Sequence, residues 1–394
     1  MLTDGALRML VLLHFHTLGF SPVQLAYLFV LYEIAGVVTN LYAGWIAAKY
    51  GLNLTLKAGL FLQILALLAF TQLDASWGVG LSVAYAMGVQ GVSGIAKDLT
   101  KMSAKSAVKI LAPDQNSSLF KWVAVLTGAK NAIKGLGFLV GGVLLAIFGF
   151  KASVIGMATL LSLILVMISL RMPVGLPTGV KGTKFSEVLS TSSRVNWLSL
   201  ARVFLFGARD VWFVVGIPVY FYAVLSDGTT EGNRLAFFTI GGFMATWTIL
   251  YGIVQSSAPK ILRSRDASIS DLVSKAGIWV AALITIPAIL GLAVLTTNGA
   301  SAALTSSLML GLLLFGGVFA VNSSLHSFLI LAFTTGQRVT MDVGFYYMAN
   351  AAGRLIGTLL SGYSYQVAGL AGCLFTASVM LAVSWLSTRK LKSL

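Results

Sequence analysis

Apolar runs of about twenty residues succeed one another along the whole chain, and that recurrence excludes most folds. Each run is long enough to cross roughly 30 Å of hydrocarbon. A water-soluble protein cannot be built this way, because 57% of the 394 residues are hydrophobic and only 10% are charged. Soluble domains average about 25% charged residues. The chain is therefore read as an all-α membrane protein with about twelve spans. They are predicted near 1–18, 23–47, 54–73, 77–100, 119–148, 152–170, 197–224, 235–257, 273–296, 303–333, 342–366 and 369–387. The first is short, with Asp4 and Arg8 close to the chain start, and reads as a truncated helix.

The formal net charge of +15 does not mark a nucleic-acid partner, since the basic residues are dispersed over short loops. They fall mostly on one side, from Lys49 and Lys101 through Arg194 and Lys260 to Arg389, against Lys151 and Arg234 on the other. Positive-inside topology then places both termini in the cytoplasm of a multi-pass inner-membrane protein. The lone Cys373 excludes an internal disulfide and thiolate metal clusters. With His14, His16 and His326 the only histidines, no metal site and no cofactor are expected. The same scarcity leaves nothing from which to build a hydrolytic enzyme site.

A polar connection over 173–195 divides the chain into two six-span bundles, 1–172 and 196–394. A shift of 220 residues lays Lys130 on Asn350, Lys134 on Arg354, Gly137 on Gly357 and Gly142 on Gly362. A shift of 201 lays Arg8 on Arg209, and one of 225 lays Lys97 and Lys101 on Asn322 and His326. Corresponding spans thus carry polar residues at matching depths, the pattern of a parallel-repeat transporter.

Those polar residues carry the chemistry. A cation at the centre of a span costs roughly 2.5–3.5 kcal/mol on insertion scales, so it faces a partner or a wet cavity. Arg209 sits in such a run, within Gly207-Ala208-Arg209-Asp210-Val211-Trp212. Lys130 and Lys134 share one helix face, as do Asn350 and Arg354. With Arg8 they are predicted to line a central anion path, and Asn322 and His326 either join them or glue helices together. Lys97, Asp98 and Lys101 read as a helix end snorkelling to water. The intramembrane carboxylates Asp4, Glu33, Asp210 and Asp342 are the candidates for proton coupling. Asp210 is expected to point about 100° away from Arg209 and to pair with another helix. Cations outnumber carboxylates, so an anion is expected as countercharge. Guanidinium suits it, because its planar fork holds two oxygens of a phosphate or arsenate.

The segments 2–16, 93–103, 120–128 and 204–214 resemble the ArsJ family of permeases, in the major facilitator superfamily, and the likeness runs through essentially the whole chain. The chain departs from the wider superfamily at Ala48, within Gly44-Trp45-Ile46-Ala47-Ala48-Lys49-Tyr50-Gly51, where an aspartate is usual. The resemblance implies efflux of 1-arseno-3-phosphoglycerate, conferring arsenate resistance. It also implies a functional link to glyceraldehyde-3-phosphate dehydrogenase, which makes that substrate from arsenate. Arginines in the first and seventh spans, here Arg8 and Arg209, are similar to those of organophosphate antiporters in the same superfamily. A carrier of another organic phosphate or oxyanion is the alternative.

Overall fold

The computed structural model describes the chain except residues 51, 75, 112–115, 172–189, 263–267, 298, 300, 335–338 and 394, and side chains are described outside 43–52, 75, 102–128, 172–189, 259, 263–267, 298, 300, 335–341 and 393–394. The predicted connection over 173–195 therefore lies largely outside the described residues. So do the side chains of the segment around Ala48 and those of 120–128.

Every described element is a helix: α1 (Leu2–Thr17), α2 (Pro22–Tyr27), α3 (Val30–Tyr50), α4 (Leu52–Phe70), α5 (Val79–Leu111), α6 (Asn116–Arg171), α7 (Ser193–Val211), a π-helical turn (Trp212–Gly216), α8 (Ile217–Leu225), α9 (Thr230–Ile261), α10 (Ile269–Thr296), α11 (Ala302–Phe333) and α12 (Val339–Lys390). Ser21, Ser192, Thr229, Ser268 and Ser301 start helices by accepting a backbone N–H in the first turn. Because Ser192 caps α7, the second half begins slightly before the predicted 196.

Among the described residues, nine helical segments are long and apolar enough to span a bilayer. Two of them are hairpins. α6 folds back at Gly149, with φ 71°, and α12 at Gly369, with φ 59°. Positive φ is readily accessible only to glycine. Counting both arms of each hairpin and the sixteen-residue α1 restores the twelve predicted passes. The surface is apolar, as lipid contact requires, with Leu170, Ile278, Leu310 and Val379 prominent on it.

The two hairpin glycines are 220 residues apart, the spacing already found between corresponding polar positions. The packing glycines obey it too. A side chain on Gly137 would strike the Leu2 carbonyl of α1, and one on Gly357 would strike the Gly207 carbonyl of α7. Gly142 lies against Phe237 of α9, and Gly362 against Pro22 and Ala26 of α2. Each hairpin's first arm thus crosses the first span of its own half and the second span of the other half. Two pseudo-symmetric six-helix bundles result.

The bundles are sealed together at the end that carries the α1–α2 turn. Val214, Val215 and Val219 from the second half enter the core of the first, while Met9, Leu13, Phe138 and Ala146 enter that of the second. At the rim, the His16 ring meets Tyr222 edge-on at 4.8 Å, and Arg234 Nε donates to the Ala146 carbonyl at 3.0 Å. The π-helical turn belongs to this seal. Pro218 cannot sit in a regular helix without meeting the carbonyl four residues back, and widening the turn relieves that clash. Ser361 Oγ accepts the N–H groups of Val215 and Gly216 at 3.1 and 3.2 Å.

Candidate functional site

On the other side of the seal, between the bundles, lies a cavity of about 200 Å³. Helical periodicity supplies its wall. α6 contributes Lys130, Lys134 and Phe138 at four-residue steps. α7 contributes Arg202, Phe206 and Arg209 along one stripe, the π-helical turn adds Phe213, and α12 contributes Tyr347, Asn350 and Arg354 along another. Asp4 and Arg8 come from α1, Lys97 and Lys101 from α5, and Trp247, Tyr251 and Gln255 from α9.

Eight cations line this space: Arg8, Lys97, Lys101, Lys130, Lys134, Arg202, Arg209 and Arg354. Arg209, Lys134 and Arg354 therefore share one cavity. They are not bare, however, since each already meets a carboxylate. Arg209 Nε donates to Asp210 Oδ1 at 2.6 Å, and Lys134 Nζ lies 3.8 Å from Asp4 Oδ2. Arg354 Nη2 donates to Glu33 Oε1 at 2.6 Å, and its Nε is 3.7 Å from Asp210 Oδ2. Arg8 Nη1 donates to the same Glu33 oxygen at 3.0 Å. A carboxylate sealed from water is stable only when charge or hydrogen bonds meet it, and Glu33 is fully buried between two guanidinium groups.

Other expectations are displaced in detail. Asp210 faces Arg354 on another helix, as expected, yet also binds its neighbour Arg209. The 100° between neighbouring side chains is closed by the long arginine stem, which folds back under Phe206 at 5.0 Å. Lys97 does not snorkel to a helix end; its Nζ stands 4.1 Å from the centre of the buried Tyr32 ring and 3.8 Å from Asp98. Lys101 holds Asp98 at 3.0 Å and Asn40 at 2.9 Å. Asn322 and His326 lie outside the wall, fully buried in α11, and their side chains make no hydrogen bond among the described residues. Asp342, in the first turn of α12, is buried away from the cavity.

Sequence reading missed Arg202. Its signal was available, since Arg202 and Arg209 are seven residues apart and so share one face of α7. It also missed the hydrogen bond across the halves, from Asn131 Nδ2 to Gln255 Oε1 at 3.0 Å, and the aromatic wall. There Trp247 stacks on Tyr251 with ring centres 5.6 Å apart, close to Phe319.

Solved structures of membrane transporters share this architecture. The nucleoside transporter NupG matches with a TM-score of 0.71 and 16% identity, over 100% of this chain and 96% of its own. A POT family transporter in complex with 5-aminolevulinic acid matches at 0.70 and 14%, over 98% and 93%. A bacterial homologue of the iron transporter ferroportin in an inward-facing state matches at 0.67 and 14%, over 100% and 96%. No protein-family model matches the sequence, and no curated protein does. The chain has the twelve-span, two-bundle fold of the major facilitator transporters.

Proposed function

We propose that this protein exports an anionic organoarsenical, 1-arseno-3-phosphoglycerate, across the inner membrane by alternating access and so confers arsenate resistance. The observation that carries the reading is the charge balance of the cavity. Eight cations line it, and among the described residues four carboxylates, Asp4, Glu33, Asp98 and Asp210, meet them. A positive surplus between low-dielectric walls concentrates anions. At about 200 Å³ the space is smaller than drug-sized pockets of roughly 300–1,000 Å³, which suits a small metabolite.

The choice of the arsenical rests on the sequence resemblance to ArsJ permeases. A molecule with phosphate at one end and arsenate at the other can engage cations of both halves. Glyceraldehyde-3-phosphate dehydrogenase supplies it. With the basic loops and both termini in the cytoplasm, the sealed end is periplasmic and this conformation receives cargo from inside. The membrane potential then favours expulsion by about 2.3 kcal/mol per net negative charge per 100 mV. A proton arriving at Asp4, Glu33 or Asp210 would release the cation that each holds, which is how coupling would act; Asp342 does not line the cavity.

The second reading is a carrier for another organic phosphate or oxyanion. It is favoured by the carboxylates themselves, which leave less free positive charge than a heavily charged cargo would use. Competition in everted membrane vesicles separates the two. The arsenical is expected to inhibit its own labelled uptake at least tenfold better than 3-phosphoglycerate does, and equal inhibition selects the second reading.

A further inference from the structure

Arg202 stands apart from the other arginines of the cavity. Arg8, Arg209 and Arg354 each contact a carboxylate. Among the described residues Arg202 contacts none, although it is only 4% exposed. Its partners are neutral. Nε donates to Asn350 Oδ1 at 3.0 Å, and Nη1 donates to the Ser323 carbonyl at 3.0 Å and to Ser323 Oγ at 3.1 Å. The guanidinium lies over Phe206 at 3.9 Å and beside Tyr346 at 5.0 Å, so both its plane and its edge are fixed. Nη2 makes no hydrogen bond among the described residues, and Arg202 is part of the cavity lining.

We infer that Arg202 is the primary seat of the substrate's oxyanion group, which supplies the missing countercharge and takes its hydrogen bond from Nη2. The inference deepens the anion-carrier reading and rests on it. Three arguments favour Arg202 over Arg209 or Arg354. A buried cation without a countercharge is the costliest kind of group to retain, so something must meet it during the working cycle. An anion arriving at Arg209 or Arg354 must compete with carboxylates already in contact, whereas at Arg202 it displaces none. The guanidinium is also preorganised, with Asn350, Ser323 and Phe206 holding it before any ligand arrives, so little rotamer entropy is lost on binding. Seven residues, or about 10 Å along α7, separate this seat from the Arg209–Asp210–Arg354 cluster. Tyr251 stands alongside, its hydroxyl 3.3 Å from Ser323 Oγ.

The test is thermal unfolding of the purified protein in a chloride buffer of fixed ionic strength, titrated with inorganic phosphate, arsenate or 3-phosphoglycerate. The parent is expected to gain stability with at least one of them. Arg202→Gln and Arg202→Met are expected to lose that gain, with apparent affinity weakened at least tenfold. Without anion both variants should unfold at the parent's temperature or above it, because an uncompensated charge has been removed. Arg202→Lys keeps the charge without the fork and should recover part of the affinity. A gain unchanged in Arg202→Gln overturns the assignment while leaving an anion carrier in place. A variant that unfolds early without anion overturns it as well, since Arg202 would then be structural. If none of the three anions stabilises the parent, the anion reading falls, and this assignment with it.

Discussion

The two halves build their shares of the cavity from different materials. The first half brings Arg8 and four lysines against Asp4, Glu33 and Asp98; the second brings three arginines against Asp210 alone. Among the described residues each half keeps the same positive surplus, reached by different routes. Lys134 and Arg354 occupy corresponding positions and face a carboxylate on the first span of their own half, Asp4 on α1 and Asp210 on α7. Arg354 then reaches further, across the interface to Glu33 on α3. Among the described residues nothing returns that contact. α9 carries its only carboxylate, Glu231, in its first turn, and presents Trp247 and Tyr251 to the cavity instead. Repeated backbones thus fix where charges stand, while the side chains of each half decide which charges are already satisfied.

Breaking the unreciprocated contact should have the largest effect. Glu33→Gln leaves Arg8 and Arg354 without their shared counterion and is expected to destabilise the protein by about 3–5 kcal/mol, measured by thermal unfolding. Adding Arg354→Met should recover part of that loss, and independent losses would mean that the two groups do not act as a pair. The helix crossings come next. Gly137→Val and Gly357→Val force side chains into neighbouring backbone, and each should cost about 1–3 kcal/mol. Gly277→Val, which faces open space, is the control. Unequal losses at Gly137 and Gly357 would show that the two crossings are not equivalent.

Smaller effects sharpen the contrast between lysine and arginine. Arg354→Lys cannot span both Glu33 and Asp210 and should cost about 1.5 kcal/mol. The reciprocal Lys134→Arg keeps its single partner and should cost less than half as much on the same measurement. Equal costs would remove the distinction between the halves. Least of all, Asn131→Ala removes one neutral hydrogen bond across the interface, worth about 0.5–1.5 kcal/mol, and it is read from the unfolding midpoint.

The alternation of long apolar runs with short basic loops could be read directly, because lipid imposes it on each helix separately. The repeat was legible for a related reason. Gly137, Gly142 and Gly149 recur as Gly357, Gly362 and Gly369, and close helix approach or a positive φ tolerates little else there. Lys97 was misplaced because a lysine four residues before another looks like a helix end, and only the packing of Tyr32 reveals a cavity wall. Asn322 and His326 could be read as cavity lining or as polar contacts between helices, because polarity alone does not say which neighbour a helix face meets; both are buried in α11, outside the lining.

By itself, then, the sequence determined a membrane protein of about twelve spans, a duplicated half, a basic end and an excess of buried cations. Each follows from local pattern, since hydropathy and glycine spacing act within one helix or at one crossing. Only the tertiary structure decided which cations are already neutralised. The Glu33–Arg354 pair joins residues 321 positions apart, and its formation depends on how α3 and α12 cross. Whether a buried charge is satisfied depends on distances of a few ångströms between helices, and those are set by packing.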